Sequence, residues 1–132
     1  MLELVRLIHN EEITLKVVMI GSDVQVLCYG GDTPHIGAVS LAVPYKSGNR
    51  TGASVSTLTV LSHCEDLVSR QLAENFCKQL KASVAVSCGI HYGQITKELI
   101  LEIQDVVTDM SKKLIEEMQN QTLSAVDDST EQ

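Results

Sequence analysis

The stretch ITLKVVMIGSDVQVLC, residues 13–28, decides the fold. Ile13, Leu15, Val17 and Met19 fall on one side of an extended chain and Thr14 and Lys16 on the other. That period-two alternation marks a half-buried strand. Gly21-Ser22-Asp23 breaks the pattern, and Val24, Val26 and Cys28 resume it, so strand, turn and strand form a hairpin. A chain that opens on an antiparallel pair must extend that sheet or cover it.

Upstream, Leu2–Ile8 supplies another strand for an edge. Downstream, a strand from Ile36 to Val43 sets a bulky face (Val39, Leu41, Val43) against a small one (Ala38, Ser40, Ala42). Pro44, which cannot donate to a ladder, ends it. Residues 45–52 read as a polar, glycine-bearing loop before a further strand from Ala53 to Leu61. Ser62 and Glu65 then fit a capping box. The helix they open has an apolar stripe, Val68, Leu72, Phe76 and Leu80, and a charged face, Asp66, Arg70, Glu74 and Lys78. Ser83–Ile90 is β-rich and suits a central strand. Thr96 caps a second helix whose stripe runs through Ile100, Ile103, Val107, Met110, Leu114 and Met118.

Strands first and helices later predict an α+β domain: an antiparallel sheet of about five or six strands with two helices packed on it. One domain fills residues 1–120, and residues 121–132 read as an acidic, disordered tail.

Composition narrows the function. The net charge of −7, with no basic stripe and few aromatic residues, argues against nucleic acid and anionic membranes as partners. No apolar run approaches the roughly 18 residues of a membrane span, and the early acid Glu3 is unlike a secretory leader. Cys28, Cys64, Cys77 and Cys88 show no CxxC pairing and read as free thiols, which points to the cytoplasm.

Three histidines, His35, His63 and His91, fall where a strand meets a turn or a helix, so strand ends can bring them to one rim. None has the short ligand spacing of a zinc site, and no metal is expected. No activated acid–base pair is evident, so no catalytic residue is assigned and an enzyme is not expected. The densest cluster is GGDTPHIGA, residues 30–38, which joins strand to strand and so is neither a P-loop nor a Rossmann turn. Its glycines let backbone approach a partner closely, and Gly37-Ala38 leaves a shallow place for a flat ring. Gly89-Ile90-His91-Tyr92 is a second cluster at a strand end, with two side-chain rings as polar handles.

On the strings GGDTPHIGAV (30–39), SVSTLTVLSHCED (54–66) and GIHYGQIT (89–96), the chain resembles the LpdD-like proteins over about residues 10–115. These small components accompany gallate decarboxylase and related reversible decarboxylases that use prenylated FMN. The resemblance implies a non-catalytic carrier that binds prenylated FMN, or FMN, and delivers or protects it for a UbiD-type decarboxylase, with a flavin prenyltransferase as a second partner. It also implies a homodimer and a fold similar to proteasome-assembly chaperones. The implied cofactor-binding residues are Gly30, Gly31, Asp32, Pro34, His35, Ile36, Gly37, His63, Gly89, His91 and Tyr92. Lys46 or Arg50 is a candidate partner for the phosphate. The competing reading is an assembly chaperone without a small ligand.

Overall fold

A computed structural model of the chain describes residues 2–60 and 65–130, with side chains to Thr122. Six strands and two helices follow in the order β1 (Leu2–Ile8), β2 (Glu11–Ile20), β3 (Asp23–Gly31), β4 (Ala38–Ser47), β5 (Arg50–Thr59), α1 (Glu65–Leu80), β6 (Val84–His91) and α2 (Lys97–Thr130). The α+β class and two-helix cover expected from the sequence are both present. The strands lie in the order β1-β2-β3-β6-β4-β5. Four of the pairings are antiparallel, and β3 with β6 is parallel. This one parallel pair arises because α1 carries the chain back from the edge strand β5 to insert β6 at the centre.

Both helices cover the same face: α1 packs on β4, β5 and β6, and α2 on β1, β2 and α1. The core beneath them is mainly aliphatic, joined by Phe76, Tyr92, Cys28, Cys77 and Cys88, and includes Ile13, Leu15, Val17, Val26, Val84, Val86, Ile103, Met110 and Leu114. Thr96 caps α2, its hydroxyl accepting from the Leu99 N–H at 3.1 Å. The helix runs past Asn120, where the sequence places the end of the domain, to Thr130.

Three local readings change. Residues 45–52 are not a loop: β4 and β5 pair as far as Ser47 with Arg50, leaving a turn at Gly48-Asn49. Pro44 lies inside β4 opposite Ala53. Beyond Ala42, β4 pairs with β5 alone, and a missing N–H is tolerated where a strand has one neighbour. The small face of β4 does not receive a flat ring. Ala38, Ser40 and Ala42 are buried, and Ser40 Oγ meets Ser69 Oγ of α1 at 2.8 Å and Thr57 Oγ1 of β5 at 2.9 Å. Small residues there let the helix approach closely. The bulky residues Val39, Leu41 and Val43 are instead on the face no helix covers, and all are exposed. The Ser62 half of the capping box lies outside the described residues.

Candidate functional site

The parallel pairing of β3 with β6 sets Gly31 directly beside His91. It therefore brings the C-terminal ends of both strands together with the N-terminal end of β4 and the start of α1. The loop from Asp32 to Gly37 crosses this end of the sheet. It is pinned by the Asp32 N–H donating to the His91 carbonyl at 2.8 Å, the Gly37 N–H to Cys88 at 2.9 Å, and the Val60 N–H to the Gly37 carbonyl at 2.9 Å.

Two imidazoles meet here, each held by a carboxylate. His91 Nδ1 lies 2.6 Å from Asp32 Oδ1, and His35 Nε2 lies 3.0 Å from Glu65 Oε1. The rings stand edge to face, centroids 6.3 Å apart. Both are partly exposed, whereas the Glu65 side chain is only 5% exposed. Its second oxygen, Oε2, is buried and has no hydrogen-bond partner among the described residues. The hydrogen bond from His91 is the main reason the Asp32 carboxyl is held below its usual range.

The glycines of both motifs let the chain approach itself. A Cβ at Gly89 would lie 1.6 Å from the His35 carbonyl oxygen, so the loop rests on bare backbone there. Gly31, at φ +81°, similarly abuts the His91 carbonyl. Gly30 is buried against Glu12, and Gly37 faces the Glu65 carboxylate. Pro34 and Ile36 are exposed on the loop, Ile36 at 66%. Tyr92 points the other way: it is buried, and its hydroxyl donates to the Ile8 carbonyl at 2.8 Å. Burial foremost, with the charges of Glu11, Glu102 and Asp32, pushes its phenol up to about 12. His63 lies outside the described residues. Lys46 and Arg50 sit at the far hairpin, the opposite end of a ten-residue ladder from Ala38 and Thr59, so they are remote from the rim.

Two neighbours carried no warning in the sequence. Glu65 reads there as a helix cap, yet its carboxylate meets an imidazole 30 positions earlier in the chain. His9, in the turn before β2, lies edge to face with Tyr92 at 6.4 Å and pairs with Glu102 at 3.0 Å. The left-handed backbone at His9 and Asn10 that builds this turn gives no hint of such contacts. No cluster of three or more His, Cys, Asp or Glu that could hold a metal occurs among the described residues.

The rim borders an apolar shelf. The alternation that buries Ala38 and Ser40 turns Val39 outward beside its ladder partner Leu58. Leu58 is 78% exposed and Val60, next along the strand direction, 74%. The site thus combines carboxylate-held imidazoles with uncovered aliphatic surface.

Residues 8–119 match the family model described as the prenylated flavin chaperone LpdD-like domain. The chain belongs to this family. Among curated proteins, Protein LpdD of Lactiplantibacillus plantarum is 28% identical over 113 residues, spanning 81% of this chain and 77% of that protein. Among solved structures, a chaperone complex for yeast 20S proteasome assembly aligns at a TM-score of 0.50 and 11% identity, covering 83% of this chain and 96% of its own. That likeness concerns the fold alone. The family match includes both glycine–histidine segments of the rim, 30–37 and 89–92.

Proposed function

We propose that this LpdD-like protein is a non-catalytic accessory protein that binds prenylated FMN, or FMN, at the His35–His91 rim and delivers or protects it for a UbiD-type decarboxylase. The observation that carries the reading is the meeting of two family-matched segments, distant in sequence, in one pair of carboxylate-held imidazoles beside bare aliphatic surface. A tricyclic ring has apolar faces and a polar edge. The outward side chains of Val39 and Leu58 fit the faces, and the rim fits the edge. The glycines contribute by letting the loop and strands close up, which sets the imidazole spacing. A flavin prenyltransferase as the source of the cofactor and a cytoplasmic location complete the reading.

The same open face supports a homodimer. Beyond the Val39–Leu58 shelf, Leu27 and Tyr29 of β3, Ser87 of β6, and Leu41 and Val43 of β4 share it, and none carries charge. In a chain of net charge −7, two copies can meet there without opposing like charges. Charge enters this face on the outer strands, at Glu3 of β1 and Glu12 and Lys16 of β2, and at Arg50 of the far hairpin. At about 4.8 Å per strand and 3.3 Å per residue, the four strands β3-β6-β4-β5 offer several hundred Å², against the roughly 800 Å² per partner of a stable interface. The α2 stripe does not provide this surface, because Ile103, Val107, Met110, Leu114 and Met118 are buried in the protomer's own core.

Co-expression with a flavin prenyltransferase tests the reading. The purified protein should carry a flavin-type chromophore, and His35→Ala with His91→Ala should remove it without unfolding the chain. Colourless wild-type protein that also fails to bind added FMN would refute the cofactor role and leave the assembly-chaperone reading.

A further inference from the structure

The two imidazoles are not equivalent. His35 has oxygen at both ring nitrogens: Nδ1 meets the Thr33 carbonyl at 3.2 Å, and Nε2 meets Glu65 Oε1 at 3.0 Å. A carbonyl only accepts, so Nδ1 carries a proton. Nε2 is occupied by the Glu65 carboxylate facing it. Neither nitrogen is left to grip a guest.

His91 is held at one nitrogen alone. Its Nδ1 donates to Asp32 at 2.6 Å, an acceptor kept in its ionised form by that bond. With the proton fixed on Nδ1, the neutral ring presents a lone pair at Nε2, which has no partner among the described residues. The ring is half exposed, so this lone pair is accessible. Around it the described side chains that meet the imidazoles are two carboxylates, one with a buried oxygen that has no partner among the described residues, and a fully engaged imidazole. Among the described residues, such a set accepts hydrogen bonds and offers an anion neither a free side-chain donor nor a net positive charge.

We infer that the rim grips its guest by a hydrogen bond donated to His91 Nε2, and that the anionic end of the guest lies away from the rim. The inference rests on the flavin reading and specifies how the ring sits. A flavin's imide, a ring N–H between two carbonyls, is the donor that meets His91, and the phosphate points elsewhere. Asp32 is a positioning residue that fixes the tautomer, and His35 with Glu65 anchors the loop.

Two measurements test this on the full chain. A long-range ¹H–¹⁵N spectrum of the free protein at about pH 9, where an imidazole is ordinarily neutral, should show His91 with a protonated Nδ1 and an unprotonated Nε2. The reverse tautomer would overturn the inference. The second measurement is a fluorescence titration with FMN, and with FMN methylated at the imide nitrogen, in wild type, His91→Phe and His91→Gln. Methylation should weaken binding to wild type about tenfold, as loss of one good hydrogen bond does, and to His91→Phe by less than about threefold. His91→Gln, whose amide oxygen also accepts, should recover part of the dependence on the imide N–H. Equal affinity of wild type for both ligands, or an equal loss in wild type and His91→Phe, overturns the inference and leaves flavin binding intact. Failure of wild type to bind either FMN or prenylated FMN overturns the flavin reading and this inference with it.

Discussion

Replacing Gly89 with alanine should take the rim apart from a position that makes no side-chain contact of its own. The new Cβ would lie 1.6 Å from the His35 carbonyl oxygen, where an ordinary contact needs 3.4 Å or more. The clash is with backbone, so no side-chain rotation relieves it, and the loop must retreat by about 2 Å. That movement breaks the Gly37 N–H bond to Cys88 at 2.9 Å and pulls His35 from Glu65 at 3.0 Å. The backbone bond contributes about 1 kcal/mol. Leaving the buried Glu65 carboxylate without its partner costs about 3 kcal/mol, the low end for buried pairs because His35 is partly exposed. The sum, about 4 kcal/mol, lowers Tm by about 14 °C for a chain of this length. Thermal unfolding followed by circular dichroism measures it, and a flavin titration on the same sample should show binding lost. Gly93→Ala is the matched control, since its Cβ meets nothing closer than Asp32 Oδ2 at 3.6 Å, and it should shift Tm by less than about 2 °C. A Gly89→Ala protein that melts with wild type and binds flavin equally would refute the claim that the loop rests on this glycine.

Tyr92→Phe should lose about 1 kcal/mol at neutral pH through its bond to Ile8, read by urea denaturation. It should also change the alkaline limb. The folded phenol ionises at about 12 against 10.0 for the free group, so its protection of the fold is complete below pH 10 and lost as pH rises toward 12. Wild type should therefore weaken with pH above 10 more steeply than the variant, and parallel slopes would contradict the burial of the phenol. Leu41→Lys with Val43→Lys should convert a dimer of 14.4 kDa protomers into monomers by sedimentation without loss of helicity. A monomeric wild type would refute the sheet-face interface.

Much of the fold was legible because its signals are local. The alternation around Ile13–Cys28, the Thr96 cap and the helical stripes each need a few consecutive residues, and each led to the element found. The misread stretches involve neighbours far along the chain. Pro44 continues a strand because β6 pairs with β4 only as far as Ala42, and no feature near residue 44 reveals that. The small face of β4 suits a ring or a helix equally, and the hydroxyl of Ser69, 29 residues on, decides for the helix. The rim was half legible. Strand ends do bring His35 and His91 together, as their positions suggested, but through a parallel pairing absent from the sheet expected. Gly30, Gly31 and Gly89 face backbone, and the acids that hold the imidazoles were read as a cofactor contact and a helix cap.

The most direct measurement is a map of backbone amide shifts on addition of prenylated FMN to the full chain. Binding at the rim should move residues 31–37 and 89–92 together with Val39 and Leu58 on the shelf. Two other recesses serve as internal references. One is a groove of about 310 Å³ between the helices, flanked by Gln71, Asn75 and Gln104. The other is a groove of about 430 Å³ between Leu80 and Met118, below the far end of the sheet. Shifts centred on either groove, with His35 and His91 unmoved, would contradict the assignment of the rim as the cofactor site.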